Sequence, residues 1–227
     1  MDEFLKYPPL LDETGRGIVE ALANLNTVVQ KYVDKHDGDL ESSFIETGRI
    51  YELSSDRIVT VGKEFFRDDY NISVIDLPNL KSLASEYCIV SCISLKYINL
   101  PQITDIPFRS LTSLPKLEYI NIPNVKTIGY NAFGSCHKLK KLELPSIVSI
   151  STRGLEFFSN LHTLIMSNPN TICRASSSSV LSNTPIAKGT GYIYVPDALV
   201  DQYKSATNWS VYANQIKPLS EYVESEV

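Results

Sequence analysis

Apolar residues recur along this chain at a nearly fixed step of 22 positions. Leu95, Leu117, Leu139 and Leu161 head four successive runs, LKYINLPQITDI, LEYINIPNVKTI, LKKLELPSIVSI and LHTLIMSNPNTI. A further run, ISVIDLPNLKSL, starts one step of 23 earlier at Ile72. The shared pattern is L-x-x-[IL]-x-[LI]-P-x-[ILV]-x-x-[IL]. Pro78, Pro101, Pro123 and Pro145 keep the proline, and Ser167 stands in its place in the last run. Upstream, VGKEFF (Val61–Phe66) matches IGYNAF (Ile128–Phe133), which places a degenerate first unit at about residues 50–71.

The alternation in L-x-x-I-x-L predicts a short strand in every unit, with side chains pointing to opposite faces. Ile98 and Leu100, Ile120 and Ile122, and Leu142 and Leu144 are expected to point inward. The proline that follows cannot donate to a strand ladder, so it ends the strand and turns the chain. A second apolar pair, such as Val125 and Ile128, makes another buried edge. A return loop then carries Leu111, Phe133 and Leu155 at one equivalent place, and Cys92, Leu114, Cys136 and Phe158 at another. One such coil is too thin to bury its own apolar side and must stack on copies of itself. A leucine period in this range is the signature of a leucine-rich repeat solenoid. The expected fold is therefore α/β, a right-handed solenoid whose short strands stack into a sheet, with an N-terminal helix and a C-terminal cap. Its divisions are residues 1–45, a helical segment and linker; 46–175, the repeats; and 176–227, a loop and capping segment.

The loop TIGYNAFGSCHKL, joined to KKLELPSIVSI, resembles the BspA-like leucine-rich repeat family, also described as the Treponema pallidum type. The similarity covers about residues 50–175. The tail IYVPDALVDQYKSATNWSVYANQIKPL looks like the segment that closes many such repeats in gut Firmicutes and their phages. The resemblance implies binding rather than catalysis, in a bacterial adhesin-like, host-interaction or phage-derived setting. The tail itself reads as a strand at Tyr192–Val195, a helix capped by Asp197 and a turn at Asn208. Trp209, Tyr203 and Ile216 would cover the last open rung, whose core and strand edge would otherwise be exposed.

At the other end, Ile18, Ala21, Leu22, Leu25, Val28, Val29 and Tyr32 form a helical stripe within residues 14–36. Two readings stand: a helix docked on the first rung, or a short coiled coil that makes a homo-oligomer and would suit a phage tail or fibre protein. DGDLESS (Asp37–Ser43) reads as a polar linker. RASSSSVLSNTP (Arg174–Pro185) reads as a loop in place of a sixth rung.

Charge and composition narrow the function. The 227 residues carry a net charge of −5, which argues against nucleic acid or an anionic membrane as partner. No apolar run is long enough to span a bilayer. The opening MDEFLKYPPLLDE lacks the basic and apolar regions of a secretory leader, so a cytoplasmic protein or a virion component is expected. Cys88, Cys92, Cys136 and Cys173 lack metal-ligand spacing and read as small buried hydrophobes. Cys92 and Cys136 lie two rungs apart, roughly 9–10 Å at about 4.8 Å per rung, too far for a disulfide. His36, His137 and His162 make no catalytic set. The neighbours Cys136 and His137 cannot readily face each other as thiol and base, and Lys188–Tyr192 reads as a turn. No enzyme activity, cofactor or metal is expected.

What remains is the solvent side of the strands. One column there is Val74, Tyr97, Tyr119, Lys141 and Thr163; the next is Asp76, Asn99, Asn121, Glu143 and Ile165. Tyr97 beside Tyr119, Asn99 beside Asn121, and the charges of Asp76, Lys141 and Glu143 form the candidate ligand-binding face. Tyrosine rings supply apolar area, and amides can satisfy a peptide or a sugar. The same residues could equally stabilise their neighbours across strands. The expected function is recognition of a protein or carbohydrate through this face. The alternative is a structural scaffold that oligomerises through residues 14–36.

Overall fold

The computed structural model of the chain describes residues 39–40, 52–62, 65–83 and 86–224. The alternating strands and the proline turns produce a solenoid of stacked parallel strands. Its principal face starts with Glu52–Ser54, Val74–Asp76, Tyr97–Asn99 and Tyr119–Asn121, paired in that order. Register follows the sequence period: Leu53 opposes Ile75, Ile75 opposes Ile98, and Ile98 opposes Ile120. A second sheet on this face holds Lys141–Glu143, Thr163–Ile165, Tyr192–Val195 and Ile216–Pro218. The degenerate first unit is thus a true rung.

Two further sides close each coil. One carries Asp105–Ile106, Thr127–Ile128, Ser149–Ile150 and Arg174–Ala175. The other carries Phe66–Arg67, Ile89–Val90, Leu111–Thr112, Phe133–Gly134 and Leu155–Glu156. The second of these is the stretch expected as a return loop. Its residues reach strand geometry because a left-handed turn stands on each side of them. These turns use ordinary residues: Tyr87, Arg109, Asn131 and Arg153 before the strand, and Asp68, Ser91, Ser113, Ser135 and Phe157 after it. Asparagines after the proline tie rungs together: Asn79 donates to the Asp56 carbonyl at 2.6 Å, and Asn124 to the Pro101 carbonyl at 2.8 Å.

The core is the stack of inward residues. Ile75, Leu77, Ile98, Leu100, Leu142 and Leu144 are all buried, as are Cys92, Leu114, Cys136 and Phe158 in their own column. All four cysteines are buried and free. Burial pushes the thiols of Cys136 and Cys173 up to about 12, which makes them packing groups rather than nucleophiles.

Several expectations need correction. Among the described residues the fold is nearly all β: one α-helix, Val200–Ser205, and short 3-10 segments. The expected helix over 14–36 lies outside the described residues. The linker assigned to 37–43 contains a strand, Asp39–Leu40, paired with Thr60–Val61. The serine-rich segment begins with a strand, Arg174–Ala175, paired with Ser149–Ile150, so the sixth rung is partly built. Asp197 caps no helix; its carboxylate accepts the Ser220 N–H at 3.0 Å.

Elsewhere in the tail, the strand expected at Tyr192–Val195 forms. Asn208 takes a left-handed turn (φ 68°) and donates to the Ala175 carbonyl at 2.9 Å. Trp209, fully buried, donates its indole N–H to the Cys173 carbonyl at 2.6 Å. The Cys173 N–H in turn donates to the Tyr203 hydroxyl at 2.7 Å.

Candidate functional site

The first half of the principal face brings its expected residues together. Tyr97 and Tyr119 stack with ring centroids 5.0 Å apart and planes 8° from parallel. Both are exposed, Tyr119 by half, because strand alternation turns them away from Ile98 and Ile120. In the adjacent column Asn121 donates to Asn99 Oδ1 at 2.8 Å, and Asn99 donates to Asp76 Oδ1 at 2.7 Å. Ser54 continues the chain, donating to Asp76 Oδ2 at 3.3 Å. The parallel register puts each of these side chains one strand spacing from the next, so the ladder forms from repetition alone.

Asp76 departs from its expected place. It is 6% exposed, and so is not a solvent-facing contact. Its carboxylate accepts from Ser54 and Asn99 and anchors the amide ladder. Ile165, expected in the same column, is buried too.

Lys141 and Glu143 do not join this group. The Tyr119–Asn121 and Lys141–Glu143 strands fall in different sheets, and most Cα pairs between them exceed 8 Å, against about 4.8 Å for paired strands. A cleft of about 560 Å³ opens here, with Tyr119, Ile120 and Ile122 on one wall and Lys140, Lys141 and Glu143 on the other. The other two sides of the same coils stay closed: Thr127 pairs with Ser149, and Phe133 with Leu155. Ser82–Leu83 and Asp105–Ile106 also belong to separate sheets, but their Cα atoms stay mostly within 8 Å.

Beyond the cleft, Lys141 meets Glu143 at 2.9 Å and Glu224 at 2.7 Å, and lies 5.9 Å from the Tyr222 ring centre. The hydrogen bonds to the two carboxylates hold its ammonium above the usual lysine range. Register places Tyr192 opposite Thr163 and Tyr194 opposite Ile165, which extends both solvent-facing columns. Lys217 stacks 4.2 Å over Tyr192, and Tyr194 meets Tyr222 edge-on at 5.1 Å. This second aromatic group is absent from the sequence reading. The step from Thr163 to Tyr192 is longer than the repeat, which hides the register. The signal that could have found it is YIYVP, whose Ile193, Val195 and Pro196 reproduce the I-x-L-P of the earlier strands.

The two described histidines, His137 and His162, bond to oxygen partners. His137 Nδ1 is 3.1 Å from the Ser159 hydroxyl, and His162 Nδ1 is 3.2 Å from the Thr190 carbonyl. Cys136 is buried while His137 is exposed, so the two form no dyad. Among the described residues no group of three His, Cys, Asp or Glu side chains could hold a metal ion, and no helix is long and apolar enough to cross a membrane.

Comparison with protein families matches residues 41–165 to the BspA type leucine rich repeat region, in six copies. No curated protein matches the chain.

Proposed function

The chain belongs to the BspA-type leucine-rich repeat family, whose repeats are protein-interaction modules, and we propose that this member recognises a protein through its principal strand face. The observation that carries this reading is the exposed Tyr97–Tyr119 stack, held in place by the amide ladder beside it. Stacked rings with few rotatable bonds give contact area at low entropic cost. The ladder also favours protein over sugar. One amide proton each of Asn99 and Asn121 is already used within the ladder, which leaves less hydrogen-bonding capacity for sugar hydroxyls. The second aromatic group, Tyr192, Tyr194 and Tyr222 with Lys217, lies on the same columns and extends the contact surface.

In this reading the C-terminal segment is a cap: Trp209, Tyr203 and Ile216 cover the last rung, whose core and strand edge would otherwise be open to end-on association. Residues 14–36 are proposed as a second helical element, and the host-interaction or phage setting remains tied to the family. Absolute mass in solution of the full chain and of one starting near residue 45 separates an oligomerising helix from a docked one. A fall in mass on truncation establishes the oligomer.

The face itself is tested by binding to immobilised mucin and extracellular-matrix proteins, measured by interferometry. Tyr97→Ala combined with Tyr119→Ala is expected to lower binding by about tenfold or more, as loss of aromatic anchors does, with the far-ultraviolet circular dichroism unchanged. Equal binding by the folded double variant overturns the assignment of the face.

A further inference from the structure

The break in the principal face leaves backbone groups without the partners that their counterparts have. In the intact rungs Leu77 donates to the Asn99 carbonyl at 3.0 Å, Leu100 to Asn121 at 2.9 Å and Leu144 to Ile165 at 2.8 Å. The same register would send the Ile122 N–H to the Glu143 carbonyl, and that bond is not made. On the other wall, Glu118 donates to Lys96 and His162 donates to Lys140, both at 3.0 Å. The equivalent bond from Lys140 to the Glu118 carbonyl is also missing. Ile122 is only 1% exposed, and a buried N–H left unpaired is costly.

We propose that this gap is a slot for one extended polypeptide strand, supplied by a protein partner with an acidic side chain next to the slot. The inference rests on the recognition reading above and assigns how the partner is held. Inserting one strand doubles the spacing of its neighbours to about 9.6 Å, and most Cα pairs between the two strands here do exceed 8 Å. A polypeptide backbone offers donors and acceptors on both of its edges, so it can satisfy the Ile122 side and the Lys140 side together. Strand addition to a sheet edge is a general mode of peptide recognition; here two edges face one another. The cleft volume of about 560 Å³ lies within the range of ordinary ligand pockets, about 300–1,000 Å³.

Charge supplies the partner's chemistry. Lys138, Lys140 and Lys141 belong to one wall. Lys141 is held by Glu143 and Glu224, whereas Lys138 and Lys140 are exposed and form no ion pair among the described residues. Glu118, on the opposite wall, is the carboxylate that an acidic side chain would avoid, which directs that side chain to the lysine wall.

The test is amide hydrogen exchange on the full chain, alone and with a capped seven-residue peptide of alternating glutamate and valine. The amides of Ile122 and Lys140 are expected to exchange roughly a hundredfold faster than those of Leu100 and His162 in the free protein, and to slow about tenfold or more with millimolar peptide. The same peptide with its backbone nitrogens methylated is expected to give no protection. Lys138→Glu with Lys140→Glu, both at exposed positions, is expected to weaken the peptide by about tenfold. Protection of Ile122 and Lys140 in the free protein equal to that of their neighbours overturns the proposal, because the slot is then closed. Equal effects of the methylated and unmethylated peptides overturn it too, as does the absence of protection by either. Failure of the recognition reading is seen separately, in the Tyr97 and Tyr119 double variant, where the peptide takes no part.

Discussion

Replacing Trp209 measures how far the C-terminal segment stabilises the solenoid. The side chain is fully buried, its indole N–H donates to the Cys173 carbonyl, and its ring meets Tyr203 edge-on at 5.9 Å. Truncation of a buried aromatic to alanine costs about 3–5 kcal/mol. The Cys173 carbonyl loses its donor, a loss of about 1–3 kcal/mol if water does not replace it. The edge-on ring contact contributes about 0.5–1.5 kcal/mol beyond burial. Water entering the vacated space recovers part of this, so Trp209→Ala is expected to destabilise by about 4 kcal/mol or more. Trp209→Phe keeps most of the apolar volume and the ring contact but removes the donor, and is expected to cost about 2 kcal/mol.

The assay is urea unfolding followed by circular dichroism, with amide exchange to locate the damage. Each coil of a solenoid contacts only its neighbours, so the loosening should be graded. It should be largest at Arg174–Ala175 and Tyr192–Val195, smaller at Thr163–Ile165, and absent at Val74–Asp76. On the principal face it should stop at the break between Tyr119–Asn121 and Lys141–Glu143, because no hydrogen bond between those strands carries it further. Two results refute the reasoning: Trp209→Phe within 0.5 kcal/mol of the parent, a cut-off set by the usual scatter for surface changes, or exchange at Val74–Asp76 raised as much as at the tail.

Four more outcomes follow from the same geometry. A methyl group on Gly191 would lie 2.7 Å from the His162 carbonyl oxygen, so Gly191→Ala is expected to cost about 1–3 kcal/mol by urea midpoint. A methyl group on Gly189 would make only an ordinary 3.7 Å contact with the Gln215 amide, but φ is +83°, and Gly189→Ala is expected to cost about 1 kcal/mol from backbone strain. Asp69 is 1% exposed with Oδ2 unpartnered, and burial raises its carboxyl above the usual range against two backbone N–H bonds that lower it. A raised carboxylate binds its proton more tightly in the folded state, so its contribution is fully present below the unfolded value and is lost as pH rises through the folded one; the Asp69→Asn variant should lack this pH dependence in urea titrations. The four thiols should resist a disulfide reagent at pH 8 in the native protein and react together in urea, since all four are buried away from the reagent and burial disfavours the thiolates of Cys92, Cys136 and Cys173.

Much of the fold was legible because the pattern reports burial. Leucine and isoleucine at alternate positions mark what faces the core, and Ile75, Ile98, Leu142 and Leu164 are all buried as that rule requires. The same rule could not show three things. The return stretch carries a strand because non-glycine residues such as Arg109 and Arg153 adopt left-handed turns, where glycine would have been the visible signal. Tyr192 and Tyr194 were hidden by an insertion that breaks the period while leaving the I-x-V-P signature intact. Asp76 was placed on the solvent side by alternation, but Ser54 and Asn99 engage its carboxylate and it is almost wholly buried.

The break in the face was the least legible feature, and the reason is physical. LEYINIP and LKKLELP keep the repeat pattern on both walls of the gap, because the pattern selects side chains for burial and says nothing about the distance between backbones. The coils stay joined on their other two sides, where Thr127 pairs with Ser149 and Phe133 with Leu155, so the core between them remains covered while one edge opens. Ile120 shows the consequence: it occupies an inward position yet is only partly buried, unlike Ile98 one rung before it. The two aromatic groups lie on opposite sides of this opening, Tyr97 with Tyr119 before it and Tyr192 with Tyr194 and Tyr222 after it. Under the proposed strand insertion, one partner that engaged both groups would have to cross the gap.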